Sequence, residues 1–489
     1  MSWYITVLFL RCTRKGGIVM EKDNKRIIVV LSAFMIVFVA LILYMTYFQV
    51  VKADKIADND YNKRLWVDEN KIKRGTIYDR DGVALVETKK DEEGNNYRIF
   101  NYGFSYANIT GYSSKKYGKH GLEKEYTNEL LNISEKTPLQ DIKDMVHTKT
   151  EGNSLILTTN TELQKKAFNE LEGHKGAIVV MNPKTGEVYA MANRPSYDPN
   201  TLTANWDSIV NDEDSPLLNR ATQGKYTPGS VFKIVTSTGL LENKDTIDLV
   251  INDQKGYVEI GGNRFNNHDK SPTGRTDLTK ALTLSSNVYF AEKGVELGEK
   301  RFRDLADRYL LGQAIPFDLP TSKSTSPFTD KNLGNPGLAA VSFGQGDTLL
   351  SPLHMALITS TIANEGIMMK PYLVQSVKSP EGEIVKQTEP EVLQEVTSKE
   401  VANDLLGRLV TAAGPRVQIR GVKVAGKSGT AEIKDKTSTH AWYVATAPAD
   451  NPKFVVAVVL EDDNTSGVKT AAPIARDVLR EAIRQIGLK

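Results

Sequence analysis

The sequence predicts an α+β protein, an antiparallel sheet covered by helices, with a small β-rich module before it and one membrane-spanning helix. Three observations point there. Apolar runs at 177–181 and 188–192 flank Asn182-Pro183-Lys184-Thr185-Gly186, which reads as two strands joined by a tight turn. Two more strand-like runs, 442–445 and 454–460, precede a helical pattern over 474–486, and helical segments gather between the two strand groups. Residues 27–48 form an uninterrupted apolar run, IIVVLSAFMIVFVALILYMTYF.

At 489 residues the chain can hold two or three domains with a substantial core. Its formal charge of +2 gives no global pull toward nucleic acid. With Cys12 as the one cysteine, no intramolecular disulfide can form, and the six histidines lack metal-ligand spacing and read as structural or surface residues.

The run 27–48 is long enough at helical rise to cross a bilayer core. A cleaved signal peptide would be shorter and end in small residues, whereas Tyr47-Phe48-Gln49-Val50 follows here. Arg11, Arg14, Lys15, Lys22, Lys25 and Arg26 precede the span, against Lys52 and Lys55 after it. That bias predicts a cytoplasmic tail (1–26), an anchor (27–48) and an extracytoplasmic remainder.

Residues 49–152 are polar, with short alternating segments, and predict a small elongated pedestal. Arg74-Gly75-Thr76-Ile77-Tyr78-Asp79-Arg80-Asp81-Gly82 reads as a strand entering an Asp-Gly turn, with 83–86 returning. Gly121-Leu122-Glu123 precedes an expected helix with Leu130 and Leu131 on its inner side. From 153 to 489 the pattern is that of one compact domain. Residues 155–157 make a short strand, and Asn160 can cap a helix bearing Leu163, Ala167, Phe168 and Leu171 on one side.

The chemistry centres on Lys225-Tyr226-Thr227-Pro228-Gly229-Ser230-Val231-Phe232-Lys233. Thr227 suits a cap and Pro228 a first helical position, and the apolar run to Leu241 predicts a helix apolar on nearly every side, hence buried. Ser230 and Lys233 then share one face of its first turn, where the helix dipole favours developing negative charge. That arrangement suits a serine nucleophile with a lysine base. Spacing alone is weak, because Ser113/Lys116 and Ser466/Lys469 repeat it; a lysine on a buried helix is costly without a role.

Two later stretches complete a possible site: Ser285-Ser286-Asn287, and Lys427-Ser428-Gly429-Thr430 opening a strand through Ile433. Gly429 lets a substrate backbone come close. Lys184-Thr185-Gly186 matches the second stretch by letter, but a hairpin turn explains every residue of it.

Ser-x-x-Lys, Ser-x-Asn and Lys-Ser/Thr-Gly, in that order, resemble the signature of the penicillin-interacting serine acyltransferases. Together with the single anchor, residues 74–82 and Gly121-Leu122-Glu123, the chain looks like a class B penicillin-binding protein, a monofunctional transpeptidase. Gly344-Gln345-Gly346 followed by Ser351-Pro352-Leu353-His354-Met355-Ala356 resembles another stretch of that transpeptidase domain. Two departures stand out: the N-terminal module is short for the family, and Leu157-Thr158-Thr159-Asn160 replaces the usual Leu-Thr-Ile-Asp.

The resemblance implies that Ser230 attacks the D-Ala-D-Ala bond of a peptidoglycan stem peptide and that a second stem's amine takes the acyl group, without cofactor or metal. Lys233 would be the base, kept neutral by burial and by Lys427. Ser285 would pass a proton to the leaving nitrogen and Asn287 would bind the substrate backbone. Ser428 and Thr430 would bind the terminal carboxylate, with Gly429 between them. β-Lactams would acylate Ser230, and a multi-pass glycan polymerase would be the membrane partner. A β-lactamase or carboxypeptidase would share the acyl-enzyme but leaves residues 74–82 and 121–123 without a role. A β-lactam sensor would need a cytoplasmic output domain, for which the residues before the span are too few.

Overall fold

The computed structural model describes residues 22–48, 72–133, 150–328, 332–433 and 438–488. Most of the tail and the charges flanking the anchor on its far side lie outside these residues. The described residues fall into two units, those before residue 67 and those after it.

In the first unit the helix Lys22–Tyr47 carries Ile27–Tyr47, a span long and apolar enough to cross a membrane. Twenty-one residues at 1.5 Å each give about 32 Å, against a hydrocarbon core of ~30 Å. Its apolar side chains are exposed, which costs free energy in water and none in lipid.

The second unit is built on a five-stranded antiparallel sheet. The strands run in the order Ala425–Glu432, Thr439–Ala447, Phe454–Glu461, Lys175–Met181 and Val188–Arg194. Both faces are covered, so the central strands are continuously apolar rather than alternating. Ile178, Val180, Val456 and Val458 face the helices Thr161–Glu170 and Ala471–Ile486. Val179, Val455, Ala457 and Val459 face the opposite core, which holds the helix Lys233–Glu242 and the all-buried helix Pro352–Ala363. Asn160 caps the helix Thr161–Glu170, its side chain accepting from the Leu163 N–H at 2.9 Å.

The expected hairpin after Arg74 forms between Ile77–Tyr78 and Ala84–Lys90. Asp79 closes its turn, accepting from the N–H groups of Asp81 and Val83. Its other oxygen takes the N–H and hydroxyl of Thr161, so the turn grips the helix that Asn160 caps. This hairpin belongs to a six-stranded sheet with Asn96–Phe100, Ser154–Leu157, Val374–Lys378 and Ile384–Gln387, which runs across residue 152. Ile77–Tyr78 lies parallel to Ser154–Leu157, making that sheet mixed.

The single helix expected before Leu131 is two one-turn helices, Leu122–Glu125 and Thr127–Leu130, broken at Tyr126. Tyr126 is drawn out of the helical path to bond its hydroxyl to Asp318. Leu130 and Leu131 are buried as expected. Beneath the break, Glu123 lies buried between Arg74 and Arg98, accepting from Arg74 Nε at 2.5 Å and Arg98 Nε at 3.0 Å.

Candidate active site

Ser230 does not begin an α-helix. Residues Gly229–Phe232 form a single 3-10 turn, and the α-helix starts at Lys233. Thr227 does not cap it, since the turn has no side-chain cap bond, and the Thr227 carbonyl instead accepts from Trp442 Nε1 at 3.0 Å. The entry is fixed from a distant loop: the Gly229 N–H donates to the Gly344 carbonyl at 2.9 Å. Gly344 has φ +81°, and a Cβ there would sit 1.9 Å from the Gly229 oxygen. Gly229 itself holds φ +55° against the backbone of Thr430 and Ala431. The turn therefore lies directly on the sheet's edge strand.

That tight turn aims Ser230 and Lys233 at each other. Lys233 Nζ is 2.9 Å from Ser230 Oγ, 2.7 Å from the Ser285 carbonyl and 2.8 Å from Asn287 Oδ1. A neutral amine offers two N–H donors and one lone pair. Nζ also lies 3.2 Å from Ser285 Oγ, so four oxygens of Ser230, Ser285 and Asn287 surround it.

Ser285 ends the helix Leu278–Leu284 in the left-handed conformation, φ 54°. This turns the chain sharply so that both its carbonyl and its hydroxyl face the lysines. Lys427 Nζ donates to Ser285 Oγ at 2.9 Å and to the Ser428 carbonyl at 2.9 Å. Lys427 reaches there from the edge strand Ala425–Glu432, on which Ser428 and Thr430 alternate with buried Lys427 and Gly429. Ser428 and Thr430 remain partly exposed.

Both lysines are buried, at 0 % and 1 % exposure. Burial, and then the neighbouring Lys427, push Lys233 well below the ordinary lysine range. Burial alone brings Lys427 down to about 7. Phe290, one helical turn beyond Asn287, places its ring 5.3 Å from Lys233 Nζ and shuts water out on that side.

The structure thus brings Ser230, Lys233, Ser285, Asn287 and Lys427 together, with Ser428, Gly429 and Thr430 alongside. Lys184-Thr185-Gly186 stays apart as a turn, where Gly186 has φ +86° and Lys184 bonds Asn451. His354 is buried, bonded to the Tyr309 carbonyl at 2.8 Å and held down to about 4 by burial, as befits a structural residue. Phe290 escaped the sequence reading, although its three-residue offset from Asn287 puts both on one helix face. Gly467 escaped it too: its N–H approaches Thr430 Oγ1 at 3.4 Å, and a Cβ there would strike the Gly429 oxygen at 2.4 Å. No local pattern announces it.

Two family descriptions match this chain. Residues 176–480 match the penicillin binding protein transpeptidase domain, and residues 74–155 match the penicillin binding protein A dimerisation domain. A peptidoglycan D,D-transpeptidase, PbpA, of Mycolicibacterium smegmatis is 31% identical over 488 residues, covering 93% of this chain and 98% of that one. The ceftriaxone acyl-enzyme complex of penicillin-binding protein A from M. tuberculosis superposes with TM-score 0.79 at 30% identity, over 85% of this chain and 100% of that one. The D,D-transpeptidase domain of a peptidoglycan glycosyltransferase from Eggerthella lenta gives TM-score 0.76 at 33% identity, over 86% of this chain and all of that one.

Proposed function

The chain belongs to the penicillin-binding protein transpeptidase family, and from that premise we infer how its site works as a peptidoglycan D,D-transpeptidase that β-lactams acylate. The observation that carries the reading is the contact set of the buried Lys233 Nζ, 2.9 Å from Ser230 Oγ and ringed by the oxygens of Ser285 and Asn287. Ser230 Oγ attacks the carbonyl between the last two D-alanines of a stem peptide while Lys233 takes its proton. The oxyanion sits between the backbone N–H groups of Ser230 and Thr430, each such donor being worth about 3 to 4 kcal/mol of barrier. Ser285, held between Lys427 and Lys233, returns a proton to the leaving nitrogen, and D-alanine departs. An amine of a second stem then attacks the acyl-Ser230 ester, the bond to Ser230 breaks, and the serine recovers its proton.

Asn287 bonds the substrate backbone, and Ser428 and Thr430 take the terminal carboxylate, with Gly429 giving the close approach. A β-lactam enters the same path, but its leaving group stays tethered.

One observation favours transfer to an amine over hydrolysis. Among the described residues, the side-chain hydrogen bonds of Ser230, Lys233, Ser285, Asn287 and Lys427 go to one another and to the Ser428 and Asn266 carbonyls, never to a carboxylate. The class A β-lactamases, which clear their acyl-enzyme quickly, use a glutamate as the base for water.

The division into tail (1–26), anchor (27–48), pedestal (49–152) and transpeptidase domain (153–489) is part of this reading, with the tail cytoplasmic and the catalytic body outside. The anchor and pedestal are proposed to meet a multi-pass glycan polymerase. Fluorescent penicillin applied to membranes should label the wild type and leave Ser230→Ala dark, with the label retained for hours. Label lost within minutes would point to a hydrolase.

A further inference from the structure

Residues Val250–Asp277 form a small excursion of two strand pairs: Val250–Asp253 with Gly274–Asp277, and Tyr257–Ile260 with Asn263–Asn266. Two-stranded pairs are marginal by themselves. This one is built around the carboxylate of Asp253, 4 % exposed, which accepts five hydrogen bonds from its own segment. They come from Gly256 N at 2.7 Å, Lys255 N at 3.2 Å, Thr273 N at 3.0 Å, Thr273 Oγ1 at 3.1 Å and Asn267 Nδ2 at 2.8 Å.

Asn267 leads outward from this hub. With Nδ2 spent on Asp253 and the Ser271 carbonyl, its Oδ1 accepts from Ser286 Oγ at 3.0 Å and from Val288 N at 3.2 Å. The preceding residue completes the grip, because the Asn266 carbonyl accepts from Asn287 Nδ2 at 3.0 Å. A carbonyl can pair only with the amide's nitrogen, so Asn287 Oδ1 is obliged to face Lys233. Both neighbours of Asn287 and its own side chain are thereby held from one place. The adjoining Ser285, at φ 54°, sits in a conformation that an L side chain seldom adopts without such restraint.

We propose that Asn267, locked by Asp253, is a positioning residue for acylation: it fixes the Ser285–Ser286–Asn287 turn so that Asn287 presents its oxygen to Lys233. The proposal rests on the assignment of Ser230 and Lys233 made above. A residue that merely supports the fold would harm the enzyme regardless of what stands at 287, whereas one acting through Asn287 loses its influence when that amide is gone.

The test is a double-mutant cycle on the detergent-solubilised full chain, reading the second-order rate of acylation by a fluorescent penicillin. Asn267→Ala should slow acylation at least about tenfold when Asn287 is present and less than about threefold when Asn287→Ala is already in place. Asn267→Asp, which keeps the volume and the oxygen facing Ser286 but repels Asp253, goes through the same cycle in case the alanine variant does not fold. Equal losses in both backgrounds, or no loss, would overturn the proposal. So would failure of both variants to melt cooperatively, since Asn267 would then be a fold residue. Wild type unlabelled at Ser230 would instead bring down the reading of the site itself, and this inference with it.

Discussion

Replacing Lys427 by methionine, which keeps the length and removes the charge, tests the proposed tuning of Lys233 as the base. Lys233 Nζ is 3.2 Å and Lys427 Nζ 2.9 Å from the same Ser285 Oγ, so the two nitrogens are at most about 6 Å apart. Two unit charges at that separation repel by roughly 3 kcal/mol at an effective dielectric of about 20. Burial is the larger cause of the lowered Lys233 and survives the substitution; the Lys427 charge is the second cause and does not. Without it the protonated form of Lys233 is easier to hold, and the neutral fraction at a given acidic pH falls by a factor on the order of 100. The acid limb of the acylation profile should therefore move to higher pH, and raising the pH should recover that part of the rate. Because Lys427 itself titrates at about 7, its influence on Lys233 is confined to pH values where it still carries a proton. The assay is the rate of penicillin acylation from pH 5 to 10, with stability checked at each end. A slowed enzyme whose acid limb has not moved would refute the reasoning, leaving Lys427 as a proton conduit alone.

Lys233→Arg should abolish acylation, by at least about a thousandfold, because a guanidinium stays charged and cannot take the serine proton; measurable acyl-enzyme in that variant would sink the lysine-base assignment. Gly344→Ala should destabilise the protein by more than about 2 kcal/mol and abolish labelling together, since its Cβ meets the Gly229 oxygen at 1.9 Å in a backbone conformation of φ +81°; thermal melting and labelling read both. Glu123→Gln should cost about 3 to 5 kcal/mol by leaving two buried guanidiniums uncompensated. In the wild type, burial pushes the Glu123 carboxyl up, but Arg98 and Arg74 overcome this and hold it below its ordinary range. Its contribution is therefore complete above the unfolded value near 4.5 and is lost as pH falls through the lower folded value, a dependence the glutamine variant should lack in acid melts.

The residues proposed to carry the chemistry were legible because chemistry restricts their identity. A hydroxyl, two amines and a carboxamide can be recognised by type and order, and the strands 177–181 and 188–192 could be read because burial on both faces makes them continuously apolar. Geometry imposed from far along the chain was not legible. Thr227-Pro228 reads locally as a helix start, yet Gly229 is held at φ +55° by Gly344 and the edge strand, and the first turn tightens to 3-10. Likewise the hairpin after Arg74 shows its turn residues plainly. Its sheet partner Ser154–Leu157 pairs in turn with Val374–Lys378 from far along the chain, and only the folded chain reveals these pairings.

That difference has a mechanistic consequence. On an α-helix, residues three apart are neighbours but their side chains diverge by about 60°, whereas on a 3-10 turn they eclipse. Ser230 and Lys233 straddle such a turn, and the 2.9 Å contact between them is made there. The Ser-x-x-Lys spacing names the two groups, while the distant glycine and the edge strand decide that they touch. A search for further residues that matter to this reaction belongs where Gly344, Asn267 and Gly467 lie, on segments that hold the backbone of the motifs without sharing their chemistry.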